Sequence, residues 1–310
     1  MNKTDGSVLS IDIGGSKIIA AVIGENGDVR GKVRESLVYP YTGADVLKTV
    51  SKLGHEAIWR FGGDVIRCGA AIPGLADPER GVWLYSSFSG IRDFPIVERL
   101  AEEFGMPAFI DNDVKVCAMG EMRFGACRDI KDFLWITVSN GIGGCAVVNG
   151  EILKGANNSA GEVGHINVTE DGFPCACGNK GCTEVYAAGP AILRRYLAYA
   201  GQSVNDAGLD AASIARMALD GDKNAQSVWD DTGYYLGKAI AAAVNILNPR
   251  KVILGGGVSM SMALFYPSLK QTLDRMVFRQ ANRELTVEKT ALGYDAALIG
   301  AAALGFAYGK

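Results

Sequence analysis

Three thiols and an imidazole crowd one stretch of this chain: Cys175-Ala-Cys177-Gly-Asn-Lys-Gly-Cys182, with His165 upstream. Three sulfurs and one ring nitrogen form a closed tetrahedral donor set, the pattern of a structural zinc site. The competing reading, unrelated reduced cysteines, is disfavoured by the tight spacing and by Gly178 and Gly181, which suit a metal-wrapped loop. Of the chain's two histidines, His165 is the one within reach. Cys68, Cys117, Cys127 and Cys145 lie among apolar residues and read as core positions. Two acids flank the cluster, Glu162 before His165 and Glu184 after Cys182. A zinc staple would bring both carboxylates into one neighbourhood, where they can accept hydrogen bonds from the hydroxyls of a polar, uncharged substrate. Singly, each reads equally well as a solvated surface acid.

Phosphate chemistry is suggested by three glycine-rich turns, none specific alone. Asp12 is followed by Gly14-Gly15-Ser16-Lys17, where bare backbone amides, a hydroxyl and an ammonium can approach phosphate oxygens. An acid at the end of the preceding strand can hold Mg²⁺ through water. Asn140-Gly141-Ile142-Gly143-Gly144 repeats that logic, and Gly255-Gly256-Gly257 offers a flat purine ring bare backbone. The bland readings are a hairpin turn and close packing. Neither a P-loop nor a Rossmann Gly-x-Gly-x-x-Gly is present. Asp111-Asn112-Asp113 sits at a strand-to-helix junction, where a plain helix cap is the first reading. Its place at the carboxyl end of a strand in an α/β sheet favours a ligand site instead. Phosphoryl transfer to an alcohol needs a carboxylate to take the hydroxyl proton, a role that suits Asp113.

The elements that must position these groups alternate between strand and helix, so the fold class is α/β. Val8–Ile13, the glycine turn, Ile18–Ile23 and Asn26-Gly27 predict a hairpin with a second turn behind it. Phe133–Val138, the turn Ser139–Gly144, Cys145–Val148 and Asn149-Gly150 repeat the pattern, which suggests a duplicated domain. Val65–Ile72 and Ala108–Ile110 read as strands, Pro95–Phe104 and the residues from Asp113 toward Phe124 as helices. Further on, Asp231–Leu247 reads as a helix stopped by Asn248-Pro249, Lys251–Leu254 as a strand, and Tyr294–Tyr308 as the closing helix. A break near Asp113 is expected, giving a small lobe over 1–113 and a larger one over 114–310 that carries the zinc loop. The last helix, about 294–308, should pack back on the first lobe.

At 310 residues the chain is long enough for two domains. Its net charge of −3 gives no basic footprint, which argues against nucleic acid as a partner. Ala291–Tyr308 is interrupted by Asp295 and by glycines, so it reads as a buried helix and no membrane span is expected. Seven cysteines without an export signal suit a reducing, cytoplasmic setting.

These motifs together resemble the ROK family (repressor, open reading frame, kinase). The resemblance runs through Asp12–Lys17, Ala71-Ile-Pro-Gly74, Asp111–Asp113, Gly141–Gly144, Ala160-Gly-Glu-Val-Gly-His165, Cys175–Glu184 and Gly255–Gly257. It implies a two-lobed actin-like (ribonuclease H-like) ATPase fold closing on ATP and a sugar, often as a homodimer. By position, Asp113 resembles the catalytic base. Gly74, Asn112, Glu162, His165 and Glu184 resemble the substrate-binding set, with His165 also a zinc ligand beside Cys175, Cys177 and Cys182. Asp12, Gly14, Gly15, Ser16, Lys17, Asn140, Gly141, Gly143 and Gly144 resemble the phosphate and magnesium loops, and Gly255–Gly257 the adenosine side. The family's glucokinases carry Asn-Leu-x-x-Trp after the Pro-Gly motif. Here Tyr85–Phe94 puts Ser87 or a neighbour at the Asn place and Ile91 at the Trp place, which leaves the choice of sugar open. Ser16 replaces the commoner Thr, and Ser139-Asn140 replaces Gly-Thr. The reading is therefore an ATP-dependent sugar kinase, with two alternatives. A catalytically silent sugar sensor keeps the fold. A DNA-binding regulator would place a helix-turn-helix before Asp12, where only eleven residues stand.

Overall fold

The computed structural model describes residues 6–86, 89–201 and 208–307, which form two compact units. The first comprises Met1–Asp129, Gly155–Ser159 and Ala291–Lys310; the second comprises Ile130–Lys154 and Ala160–Thr290.

In the first unit β1 (Ser7–Ile13), β2 (Lys17–Ile23) and β3 (Val29–Ser36) form an antiparallel run. Gly27, at φ +83°, supplies the left-handed residue in the β2–β3 turn. Helix α1 (Gly43–Phe61) follows a capping box in which Thr42 and Asp45 satisfy each other's backbone amides, and it buries Val46, Val50, Leu53 and Ala57 at helical spacing. β4 (Val65–Ile72) returns parallel to β1. A small antiparallel sheet of β5 (Leu75–Asp77), β6 (Val82–Tyr85) and β7 (Arg92–Phe94) precedes α2 (Ile96–Phe104). β8 (Ala108–Asn112) then pairs parallel to β4 and feeds α3 (Asp113–Arg123), giving the sheet order β3-β2-β1-β4-β8.

The second unit repeats this plan. β9 (Phe133–Val138), β10 (Ile142–Val148) and β11 (Glu151–Ile152) are antiparallel neighbours. Four helices follow: α4 (Glu184–Ala187), α5 (Gly189–Tyr199), α6 (Ala211–Leu219) and α7 (Lys223–Leu247). β12 (Lys251–Gly255), α8 (Met262–Met276) and β13 (Thr286–Lys289) complete the order β11-β10-β9-β12-β13, with β12 parallel to both neighbours. Position by position this is the topology of the first sheet, a duplication of one unit.

The final helix, α9 (Ala296–Ala307), belongs to the first unit, where it is apolar on nearly every face. Leu298 and Ala302 pack with Val8, Ala21 and Ile23, while Ala301 and Leu304 pack with Ala71 and Val116 of α3. A helix apolar all round can only be buried, so this packing is what its sequence requires. It also corrects the boundary expected at Asp113. Because α3 and α9 cover the same face of the first sheet, the first unit runs on through Asp129 and the division comes after it. Two smaller differences are local. α7 begins at Lys223, eight residues before the expected Asp231, under an Asp222 cap. β10 begins at Ile142, so Gly143 and Gly144 are strand residues, not turn residues. Among the described residues no helix is long and apolar enough to cross a membrane.

Candidate active site

In the first unit the tips of β1 and β8 carry the acids. Asp12 pairs across to Ala71 on β4, and Ala71 pairs to Asp111 on β8, so these carboxyl ends lie side by side. The Asp12 carboxyl is pushed up to about 6, chiefly by burial, with Lys17 opposing and Asp295 adding to the rise. Asp113, the first residue of α3, is pushed up to about 7 by burial and then by the charge of Asp12. The two acids thus feel each other in a poorly solvated place at the ends of β1 and β8.

Asn112 is both cap and brace. Its Oδ1 accepts from the amides of Val114 and Lys115, as the helix-cap reading required. Its Nδ2 donates to the Gly74 carbonyl at 2.9 Å and to Asp113 Oδ1 at 2.9 Å, so the cap also orients the acid beside it. Gly74 stands at φ +86°, and a side chain there would strike the Tyr85 carbonyl. Ser87 lies outside the described residues. Its neighbour Ser86 is buried with a hydroxyl that finds no partner among the described residues.

The Gly14–Lys17 turn is closed by Gly14 N–H to the Lys17 carbonyl at 2.9 Å, with Gly15, Ser16 and Lys17 exposed. Two contacts hold it from outside. The Tyr41 hydroxyl donates to the Gly15 carbonyl at 2.9 Å, and the Leu37 amide donates to the Ser16 carbonyl at 2.8 Å. Sequence reading passed over Tyr41, because nothing in an isolated Tyr-Pro-Tyr stretch points to a turn far away in the chain. It passed over Lys115 too. That buried ammonium donates to both the carbonyl and the side-chain oxygen of Asn158, whose Nδ2 reaches the Ala76 carbonyl.

In the second unit His165, Cys175, Cys177 and Cys182 place their ligand atoms within 4.8 Å of one another. His165 Nδ1 lies 3.7 Å from Cys175 Sγ, and Cys177 Sγ lies 3.6 Å from Cys182 Sγ. The set could hold a zinc ion, and Nδ1 would be the ring nitrogen that joins it, leaving Nε2 outward. Glu162 is exposed just before the short 3-10 turn Val163–His165. Glu184 opens α4, and its Oε2 accepts from the Ile142 amide at 2.9 Å, tying the cysteine loop to the start of β10.

That bond also explains Gly141, whose added Cβ would meet Glu184 Oε2 at 2.7 Å, and Gly144 lies as close to the backbone of Gly161. Gly161, just before Glu162, and Glu184 after the cysteine loop therefore both meet the start of β10 beside the Asn140 turn. Gly255 lies over the Trp135 ring, Gly256 at φ +83° presses the Val138 carbonyl, and Gly257 faces open space. A side chain would not fit at the first two, which accounts for glycine there.

Fold and site together define a mixed α/β protein of the actin-like ATPase class. The ROK family profile matches residues 8–307, and the chain belongs to that family. It is similar to a glucokinase of Halalkalibacterium halodurans, 32% identical over 94% of this chain and 92% of that one. It is also similar to the transcriptional regulator NagC of Escherichia coli, 33% identical over 78% of this chain and 60% of the regulator. Among solved structures, a ROK glucokinase from Streptomyces griseus with glucose and AMPPNP superposes at a TM-score of 0.85, 28% identical, covering 97% of this chain and 100% of that one.

Proposed function

We propose that this chain is an ATP-dependent carbohydrate kinase, transferring the γ-phosphate by direct in-line displacement to a sugar hydroxyl, the C6 hydroxyl of a hexose or hexose derivative. The observation that carries the reading is Asp113: a carboxyl pushed up to about 7, braced by Asn112 at the head of α3. A base matched to neutral pH can take the alcohol proton as the oxygen attacks.

The remaining residues take roles that follow from their chemistry. Asn112, Glu162, Glu184 and His165 Nε2 accept or donate hydrogen bonds to ring hydroxyls, with Gly74, whose carbonyl Asn112 holds, and Ser87 completing the substrate set. The exposed Gly15-Ser16-Lys17 tip of the turn that Gly14 closes, and the Asn140–Gly144 segment with Gly141, Gly143 and Gly144, hold phosphate oxygens, and Gly255–Gly257 take the adenosine. Asp12 would hold Mg²⁺ through water, and the ion supplies charge neutralisation on the phosphates. His165, Cys175, Cys177 and Cys182 would hold a structural zinc, which supplies rigidity to the loop presenting His165 and Glu184. A cytoplasmic homodimer is the expected setting; no disulfide forms among the described residues, and sedimentation reads the assembly directly.

The test is ADP release with Mg-ATP across glucose, mannose, fructose, allose, N-acetylglucosamine, N-acetylmannosamine and cellobiose, with Asp113→Asn alongside. Release stimulated by one sugar and lost in the variant establishes the reaction and its substrate. Zinc-loaded protein that binds sugar and ATP yet releases no ADP would instead support the sensor reading, which the similarity to NagC keeps in view.

A further inference from the structure

The second unit contains a cavity of about 610 Å³ that the proposed reaction does not use, a size suited to a small organic ligand. Its position separates it from the nucleotide loop. β12 and β13 run parallel, from Lys251 opposite Thr286 to Leu254 opposite Lys289. The Gly255–Gly257 loop leaves the carboxyl end of that pair. The cavity instead uses Leu285 and Val287 at the amino end of β13. Its other wall is the far half of α8, where Lys270 and Asp274 stand roughly 12–18 Å along the helix from Met262 at 1.5 Å per residue.

Its lining has two characters. Leu273, Val277, Leu285 and Val287 give an apolar floor. Lys270, Arg279 and Arg283 give three cations against a single carboxylate, Asp274. Asp274 is already occupied, by Lys270 at 2.8 Å and by Arg279 at 3.4 Å. The Arg283 guanidinium makes no ion pair with any described residue. The surplus is two positive charges at the edge of a hydrocarbon surface. A carboxylate would neutralise half of that, whereas a phosphate monoester carries roughly −1.5 to −2 at neutral pH and matches the forked donors of arginine.

We propose that this cavity is a second ligand site for an organic phosphate monoester. The phosphate sits on Arg283, Arg279 and Lys270, and an apolar or aromatic body lies over Leu273, Val277, Leu285 and Val287. The site does not depend on the kinase reading, since it shares no residue with the reacting groups.

The probe is phenyl phosphate, titrated calorimetrically into the full chain saturated with AMPPNP, with inorganic phosphate and phenol as the two halves of the ligand. Saturable one-to-one binding is expected, at least about tenfold tighter than either half and weakened at least about tenfold by Arg283→Ala. Arg283 is exposed, so that variant leaves the fold intact. Equal affinity for inorganic phosphate would overturn the apolar half of the site. The whole proposal fails with binding seen only when AMPPNP is left out, an unchanged affinity in Arg283→Ala, or no heat up to about 10 mM phenyl phosphate.

Discussion

Asp113 and Asp12 are two acids whose burial works against their own ionisation, and both function and stability respond to that. A general base acts deprotonated, so kcat/KM should rise as pH climbs through about 7 and level off above it. A pH–rate profile with no inflection between about 6 and 8 would remove Asp113 from the role. Stability runs the other way. The unfolded carboxyl ionises near its ordinary value of 3.8 and the folded one near 7, so between these values the native state holds the extra proton. Stability from this group is complete below 3.8, falls as pH rises, and is lost once pH passes about 7. Asp113→Asn keeps an oxygen for the Asn112 and Val114 donors without the charge. Magnesium-free and sugar-free, the variant should melt above the wild type at pH 8, with the gap closing toward pH 4; turnover should fall by about three orders of magnitude or more.

At the scale of elements, function is held by contacts between segments remote in the chain. The loop from β3 to α1 reaches the Gly14–Lys17 turn through the Tyr41 hydroxyl. Tyr41→Phe removes one hydrogen bond worth about 1 kcal/mol and little else. The KM for Mg-ATP should rise about three- to tenfold while sugar affinity stays put, a split that initial-rate kinetics reads and a general loss of stability would not produce. α3 and α9 approach through glycine. A Cβ on Gly300 would press into the Val116 carbonyl, and one on Gly120 would meet the Gly300 backbone. Gly300→Ala should therefore cost about 1–3 kcal/mol in urea denaturation despite alanine's better helix propensity, because backbone cannot yield as a side chain can.

For the whole molecule, a zinc held by His165, Cys175, Cys177 and Cys182 would link stability to ligand binding. Metal analysis should return one zinc per chain. Chelation should lower the melting temperature and weaken sugar binding while leaving nucleotide binding to the first unit's turn intact, because Glu184 and His165 are placed by the same loop. Cys177→Ser should reproduce both effects; sugar affinity unmoved by metal loss would dissociate the loop from the substrate site. Above that sits the duplication, two sheets of identical strand order, each delivering its glycine turn between its first two strands.

Much of this was legible in one dimension, because the signals are local. Cysteine and histidine spacing, Asn-Gly turns, strand alternation and the Asp-Asn-Asp junction are each short runs whose chemistry does not depend on distant partners. The hairpins, the repeated plan and the clustering of His165 with its cysteines follow from such runs. Long-range packing decided the rest. The boundary moved from Asp113 to Asp129 because α3 shares a face with α9, whose apolar sequence demands burial without naming its cover. Tyr41 became a support of the Gly14–Lys17 turn, and Lys115 a brace on Asn158, through contacts that no spacing rule encodes. The need for glycine at 255 and 256 comes from Trp135 and Val138, which pack where a side chain would stand. A sequence specifies which groups are present and their local geometry. Which distant groups meet, and so which acid is desolvated enough to act near neutral pH, is settled only when the core closes around them.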